Sequence, residues 1–120
     1  MLSYKRARRV GDTILREIAN LLLFKVRDPR VRGVTITGVH LSDDLKHAKV
    51  YYSVMGDSED VKIAQAGLDS AKGFIKREIG LRMELRYVPD LMFVYDPSLK
   101  WSSKVDELIE QIKKEKNSEV

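Results

Sequence analysis

The stretch DSEDVKIAQAGLDSAKGFIKREIGLRMELRYVPDLMFVYD, residues 57–96, decides how the chain folds. Val61, Ala64, Leu68 and Ala71 recur at helical spacing and form a narrow apolar stripe. Asp57 or Ser58 can cap that helix, with Glu59 and Asp60 favourably placed in its first turn. At Ser70-Ala71-Lys72-Gly73 a second helical pattern begins without a conventional loop, so a break between two helices is expected there. At roughly 100° per residue the second helix gathers Lys72, Gly73, Lys76, Arg77 and Gly80 in one arc and sets Phe74, Ile75, Glu78 and Ile79 opposite. Gly80 is expected as a left-handed C-terminal cap. Gly73 suits close helix packing at the kink, or the close approach of a polyanionic backbone to nearby helix N-terminal amides. Leu91 to Tyr95 is apolar on both faces, which predicts an interior strand ended by Asp96-Pro97.

What precedes this stretch must cover it. Residues 4–26 read as an amphipathic helix with Val10, Ile14, Ile18, Leu21 and Leu22 on one stripe, and with Asp12 and Arg16 spaced to pair. Asp28-Pro29 stops it, because proline disfavours helical geometry in the residue before it. Arg27, Arg30 and Arg32 crowd that turn as a compact cationic knob. Val34 and Ile36 alternate with their neighbours, as do Val39 and Leu41, but the phase slips at Gly38, which predicts a bulged strand. After a polar turn at Ser42–His47, Ala48, Val50, Tyr52 and Val54 alternate with polar partners, completing an antiparallel hairpin. Helical material between the second and third strands is long enough to let them run parallel, so the sheet is expected to be mixed. Ser103 and Asp106 have capping-box spacing ahead of Val105, Leu108, Ile109 and Ile112, and with Trp101 as anchor they predict a terminal helix. The expected division is one domain over residues 1–97 with residues 98–120 as a helical extension.

Charge sharpens the functional reading. Residues 1–32 hold nine Lys/Arg against three Asp/Glu, so their net charge of +6 exceeds the +4 of the whole chain and leaves the remainder at −2. Such concentration favours a polyanionic partner. Asp12, Arg16 and Glu17 interrupt any signal-peptide core, and no apolar run approaches membrane-spanning length, so a soluble cytoplasmic protein is expected. The chain has no cysteine, which excludes disulfides and thiolate metal sites. His40 and His47 lack metal-ligand spacing, and Asp43 and Asp44 suit local backbone capping better than acid–base work. With no phosphate-binding loop and no nucleophile signature, no catalytic residues, metal or cofactor are expected.

Asp28-Pro29-Arg30, Ser42-Asp43-Asp44-Leu45, Ala48-Lys49-Val50-Tyr51, Ser70-Ala71-Lys72-Gly73-Phe74-Ile75, and the run from Gly80 to Asp96 together resemble the ribosome-binding factor A family of bacterial small-subunit maturation factors. The resemblance implies an α+β, type II K-homology-like fold of order α-β-β-α-α-β with a C-terminal helix, its three-stranded mixed sheet covered by helices. In K-homology domains a Gly-x-x-Gly loop clamps the nucleic-acid backbone. The matching place here is Ser70-Ala71-Lys72-Gly73, without the first glycine, so a basic helical surface is the favoured contact. The resemblance further implies binding to the free small ribosomal subunit and its 16S rRNA, including the immature 5′ end, a role in late maturation and growth in the cold, and a monomer.

The expected RNA contacts are Ser70, Ala71, Lys72, Gly73, Lys76, Arg77, Arg82 and Arg86. Lys5, Arg6, Arg8 and Arg9 add a terminal cluster, and Arg27, Arg30 and Arg32 the turn. The mechanism would be occupancy, in which the domain holds an rRNA conformation and leaves when the subunit matures. Two alternatives stand beside it. One is a general single-stranded RNA regulator, disfavoured by the scarcity of aromatic residues on the basic arc. The other is a protein adaptor working through the terminal helix.

Overall fold

The computed structural model describes residues 2–97. The elements are α1 (Leu2–Phe24), a short 3-10 turn (Pro29–Val31), β1 (Val34–Leu41), β2 (His47–Val54), α2 (Ser58–Met83) and β3 (Asp90–Tyr95). The predicted terminal helix, with Trp101, Val105, Leu108, Ile109 and Ile112, lies outside the described residues.

The sheet has the expected α+β, mixed form: β1 pairs antiparallel with β2, and β2 pairs parallel with β3. The register slips between Ile36 and Gly38, so the bulge read from the alternation is present. Strand order is β1-β2-β3, which makes β2 the centre and β3 an edge. That corrects the expectation of an interior third strand: the crossover returns beside β2, whose other side the hairpin already occupies. Ile36, Leu41, Ala48, Val50, Tyr52, Leu91 and Phe93 are buried on the side the helices cover, while Met92 on the opposite face is 58% exposed. A methionine in the edge strand therefore looked like core only because both faces of the run were apolar.

α1 contributes Ile14, Ile18, Leu21 and Leu22 to the core, as its spacing predicted. The amides of Lys25 and Val26 both donate to the Leu21 carbonyl as the helix ends. Asp28 then caps the 3-10 turn by accepting from the Arg30 amide. Asp12 and Arg16 form no ion pair; Glu17 instead reaches across to Arg82 of α2 at 3.2 Å.

α2 corrects the largest expectation. It is one helix of 26 residues, with no break at Ser70–Gly73. Its buried residues explain why: Ala64, Leu68, Ile75 and Ile79 remain in phase at 3.6 residues per turn straight through the expected kink. Keeping all four on the sheet requires an unbroken rod, and tertiary packing overrides the helix-weakening glycines. Asp57 caps the start in a reciprocal box with Asp60. The left-handed residue at the other end is Glu84, not Gly80; its φ is 52°, and its amide donates to the Gly80 carbonyl. Gly80 is needed for another reason. The returning chain lays Val88 over it, and a Cβ there would lie 2.8 Å from Val88 Cγ2.

Gln65 ties the layers together. Its side-chain amide donates to the Phe93 carbonyl at 3.0 Å and its carbonyl accepts from the Tyr52 hydroxyl, so one side chain of α2 holds β2 and β3. Burial, then the nearby Asp69 and Tyr95, pushes the Tyr52 hydroxyl pKa up and keeps it a donor.

Candidate nucleic-acid interface

α1 and α2 run antiparallel. Glu17 meets Arg82 near the end of α2, whereas Lys25, Val26 and Arg27 lie beside Ser70, Ala71 and Phe74 near its middle. This arrangement sorts the predicted contact residues into distinct places.

On the outward side of α2, Ser70, Gly73 and Arg77 are all exposed and fall at i, i+3 and i+7, which puts them on one stripe. A Cβ at Gly73 would meet no atom within 4 Å, so the residue is bare helix surface rather than a packing point or a kink. The amide-lined approach expected from a helix N-terminus is absent here, because Ser70–Gly73 is helix interior and its amides are spent on backbone carbonyls one turn earlier. Whatever binds this stripe must use side chains and the smooth backbone contour, not free amides.

Lys72 and Lys76 do not share that stripe. Both are half-buried, on the flank facing β3, where Lys76 Nζ lies 3.4 Å from Asp90 Oδ1. The arc expected to face away as a unit therefore divides, with only Arg77 fully outward. The wheel shows only part of this: Lys72 comes four residues after buried Leu68 and seven before buried Ile79, but nothing in residues 72–77 reveals that Asp90 lies across from Lys76.

The opposite flank is a shallow groove of about 280 Å³ between the end of α1 and α2. Lys25, Val26, Arg27 and Asp28 form one wall, and Ser70, Ala71 and Phe74 the other. Val26, Ala71 and Phe74 are half-buried and pack on the core, while Lys25, Arg27 and Ser70 are exposed at the rim. Arg30 is anchored rather than free: its guanidinium makes a two-pronged contact with the Asp28 carboxylate, at 3.0 Å through Nε and 2.6 Å through Nη2. The Arg30 side chain, then its backbone amide, holds the Asp28 pKa below the usual carboxylate range. All three arginines of the expected knob are exposed, but Arg30 is tied to Asp28 and braces the turn, which leaves Arg27 and Arg32 as its outlying cations.

Lys5, Arg6, Arg8 and Arg9 are exposed at the start of α1. Antiparallel packing directs that end of α1 past the end of α2 that carries Arg82. Arg82 is held by Glu17, and Arg86 is exposed in the following turn with its guanidinium 5.7 Å from the Tyr87 ring centroid.

Two residues that line this groove were not among the expected contacts: Lys25 falls within the helix expected over residues 4–26, and Phe74 on the arc set opposite the cations. Phe74 lies four residues from Ser70 and so shares its side of the helix, and that interval is the signal in the sequence that points to it. No cluster of three or more His, Asp or Glu able to hold a metal ion occurs among the described residues. None of their helices is long and apolar enough to cross a membrane.

Comparison with known proteins adds an independent line. A family model described as "Ribosome-binding factor A" matches residues 6–109. The chain is similar to a curated protein of that description from Syntrophus aciditrophicus, 44% identical over 119 residues that cover 99% of this chain and 97% of the relative. Among solved structures it is similar to a Thermotoga maritima protein, studied in solution as a candidate ribosome-binding factor A, at TM-score 0.67 and 32% identity, covering 74% of this chain and 85% of the other. A Thermus thermophilus ribosome-binding factor A homology model, fitted into a cryo-electron-microscopy map of a 30S complex, shares the fold at TM-score 0.63 and 23% identity, over 76% of this chain and 96% of that one.

Proposed function

The chain belongs to the ribosome-binding factor A family, and from that premise we propose that it binds the free small ribosomal subunit through 16S rRNA. The observation that carries the proposal furthest is the relative fitted into a 30S complex, because it gives the family a partner whose polyanionic surface suits the exposed cations of this chain. The binding surface is the Ser70, Gly73 and Arg77 stripe with Arg27 on one side, and Arg32 lies further along the turn, beside Leu22 and Leu23 of α1. Lys72 and Lys76 supply cations on the β3 flank, and Lys5, Arg6, Arg8, Arg9 and Arg86 extend the surface at the far end. Ala71, Arg30 and Arg82 position their neighbours.

Binding is the whole activity. The protein acts by occupancy in the cytoplasm, as a monomer and without cofactor or catalytic step. It holds rRNA near the immature 5′ end while late maturation and 5′ processing of the precursor proceed, and this is most needed in the cold, when RNA misfolds are long-lived. Residues 1–97 form the binding unit and residues 98–120 an extension to it.

Co-sedimentation with free small subunits, free large subunits and whole ribosomes across a salt series tests this. Selective recovery with free small subunits is expected, with log affinity falling against log salt by about 0.7–0.9 per phosphate contact. Reversing Arg27 and Arg77 together, each to Glu, should weaken binding at least about tenfold and flatten the salt slope by about two contacts. Equal recovery with all three particles would rule the proposal out.

A further inference from the structure

The groove between the end of α1 and the middle of α2 combines features that a surface for phosphates alone does not need. Its floor is apolar, formed by Val26, Ala71 and the half-buried ring of Phe74, and it is about 280 Å³ in volume. Its rim carries two exposed cations, Lys25 and Arg27, and one exposed hydroxyl, Ser70. Beside it lies Gly73, where nothing stands within 4 Å of a would-be Cβ. The Asp28–Arg30 contact holds the turn together, and the turn packs directly on α2 at Gly67. From this juxtaposition we propose that the groove receives a single unstacked nucleobase of an RNA strand. Phe74 supplies the apolar contact, Ser70 a hydrogen bond to the base edge, and Lys25 and Arg27 engage the phosphates on either side.

The chemistry favours this occupant. An unpaired base needs an aromatic or apolar platform with a polar group at its edge and cations for the flanking backbone. An aliphatic side chain from a protein would fill the floor equally well, but it gains nothing from two rim cations. A phosphate alone would gain nothing from the floor. The proposal rests on the RNA-binding reading above, but it assigns one base to a place where that reading needs only charge.

Two variants test it in the full chain. Phe74→Leu keeps the apolar packing and removes the ring; Ser70→Phe, at an exposed position, blocks the mouth without touching the core. Each is compared with the parent for affinity to free small subunits, for the salt slope, and for chemical reactivity of unpaired rRNA bases with and without protein. The parent is expected to shield a small set of unpaired bases. Both variants should lose that shielding and about tenfold in affinity, with the salt slope unchanged. Retained shielding and affinity in both variants would overturn the pocket while leaving the wider RNA-binding reading intact. Lost affinity with base reactivities identical to those of the parent complex would also overturn it, because the occupant would then be a protein side chain. Failure of the parent to bind small subunits at all would remove both readings.

Discussion

Gly67 and Gly73 sit six residues apart on one helix and have opposite reasons to be glycine. At Gly67 a Cβ would lie 2.8 Å from Arg30 Cβ and 2.9 Å from Val31 Cγ1, so the missing side chain lets the turn after α1 lie against α2. At Gly73 there is open space. The first glycine is the weld that holds a wall of the groove; the second is a gap on the outer surface that no internal contact explains. Local sequence could not separate them, since each is one Gly within a helical pattern. The difference teaches that the fold constrains α2 on the side of α1 and leaves its outer side free for a partner.

The largest effect should come from breaking the weld. Gly67→Ala should cost about 1–3 kcal/mol of stability in denaturant unfolding, because Val31 and the Arg30 stem must both move. Adding Val31→Ala should recover part of that loss. A double variant no more stable than additivity allows would show that the contact with Val31 is not the cause.

Gly73→Ala should do the reverse. An exposed, unobstructed helical position gains about 0.5–1 kcal/mol when Gly becomes Ala, so the melting temperature should rise by several degrees. Binding to small subunits should fall at the same time if the bare backbone serves a partner. A variant both more stable and equally good at binding would reduce Gly73 to an incidental weakness in the helix.

The smallest effect concerns acid. Arg30 holds the Asp28 pKa below its ordinary 3.8, chiefly through its side chain, and hydrogen bonds from the Asp60 amide and its neighbours do the same to Asp57. Groups with lowered folded values contribute stability that is complete above the unfolded value near 3.8 and lost as pH falls through the folded one. The contribution of these two groups should therefore be constant through neutral pH and decline only below about pH 4. Asp57→Ala, measured by thermal melting, should lower stability at neutral pH and make that acid decline shallower. A parallel downward shift of the whole curve would mean that the Asp57 carboxylate contributes nothing through its charge.

Much of this architecture was legible in residues alone. The bulge at Gly38, the parallel return of the third strand and the Asp57 cap all follow from local alternation, helix length and side-chain chemistry. What could not be read depends on distant partners. The continuity of α2 is set by a sheet that keeps Ala64, Leu68, Ile75 and Ile79 in phase, and the edge position of β3 by which side of β2 the hairpin fills. The candidate site was half legible. Its cations were visible as a surplus, but the pairing of Lys76 with Asp90 and of Arg82 with Glu17 spans 14 and 65 residues of chain. No periodicity carries that information.

The pairing of β2 with β3 also sets an order of events during folding. His47 meets Asp90, and Tyr52 meets Tyr95, across the full length of α2. A hairpin of β1 and β2 closes over a six-residue separation between Leu41 and His47, whereas β3 can reach β2 only after the whole of α2 has been made. During synthesis the centre strand waits with one edge unpaired until nearly all of the first 95 residues have left the exit tunnel. For that interval Val50 and Tyr52 lack the neighbours Phe93 and Tyr95. Any delay in making the residues between Val54 and Tyr95 prolongs the time for which that edge is open to other chains.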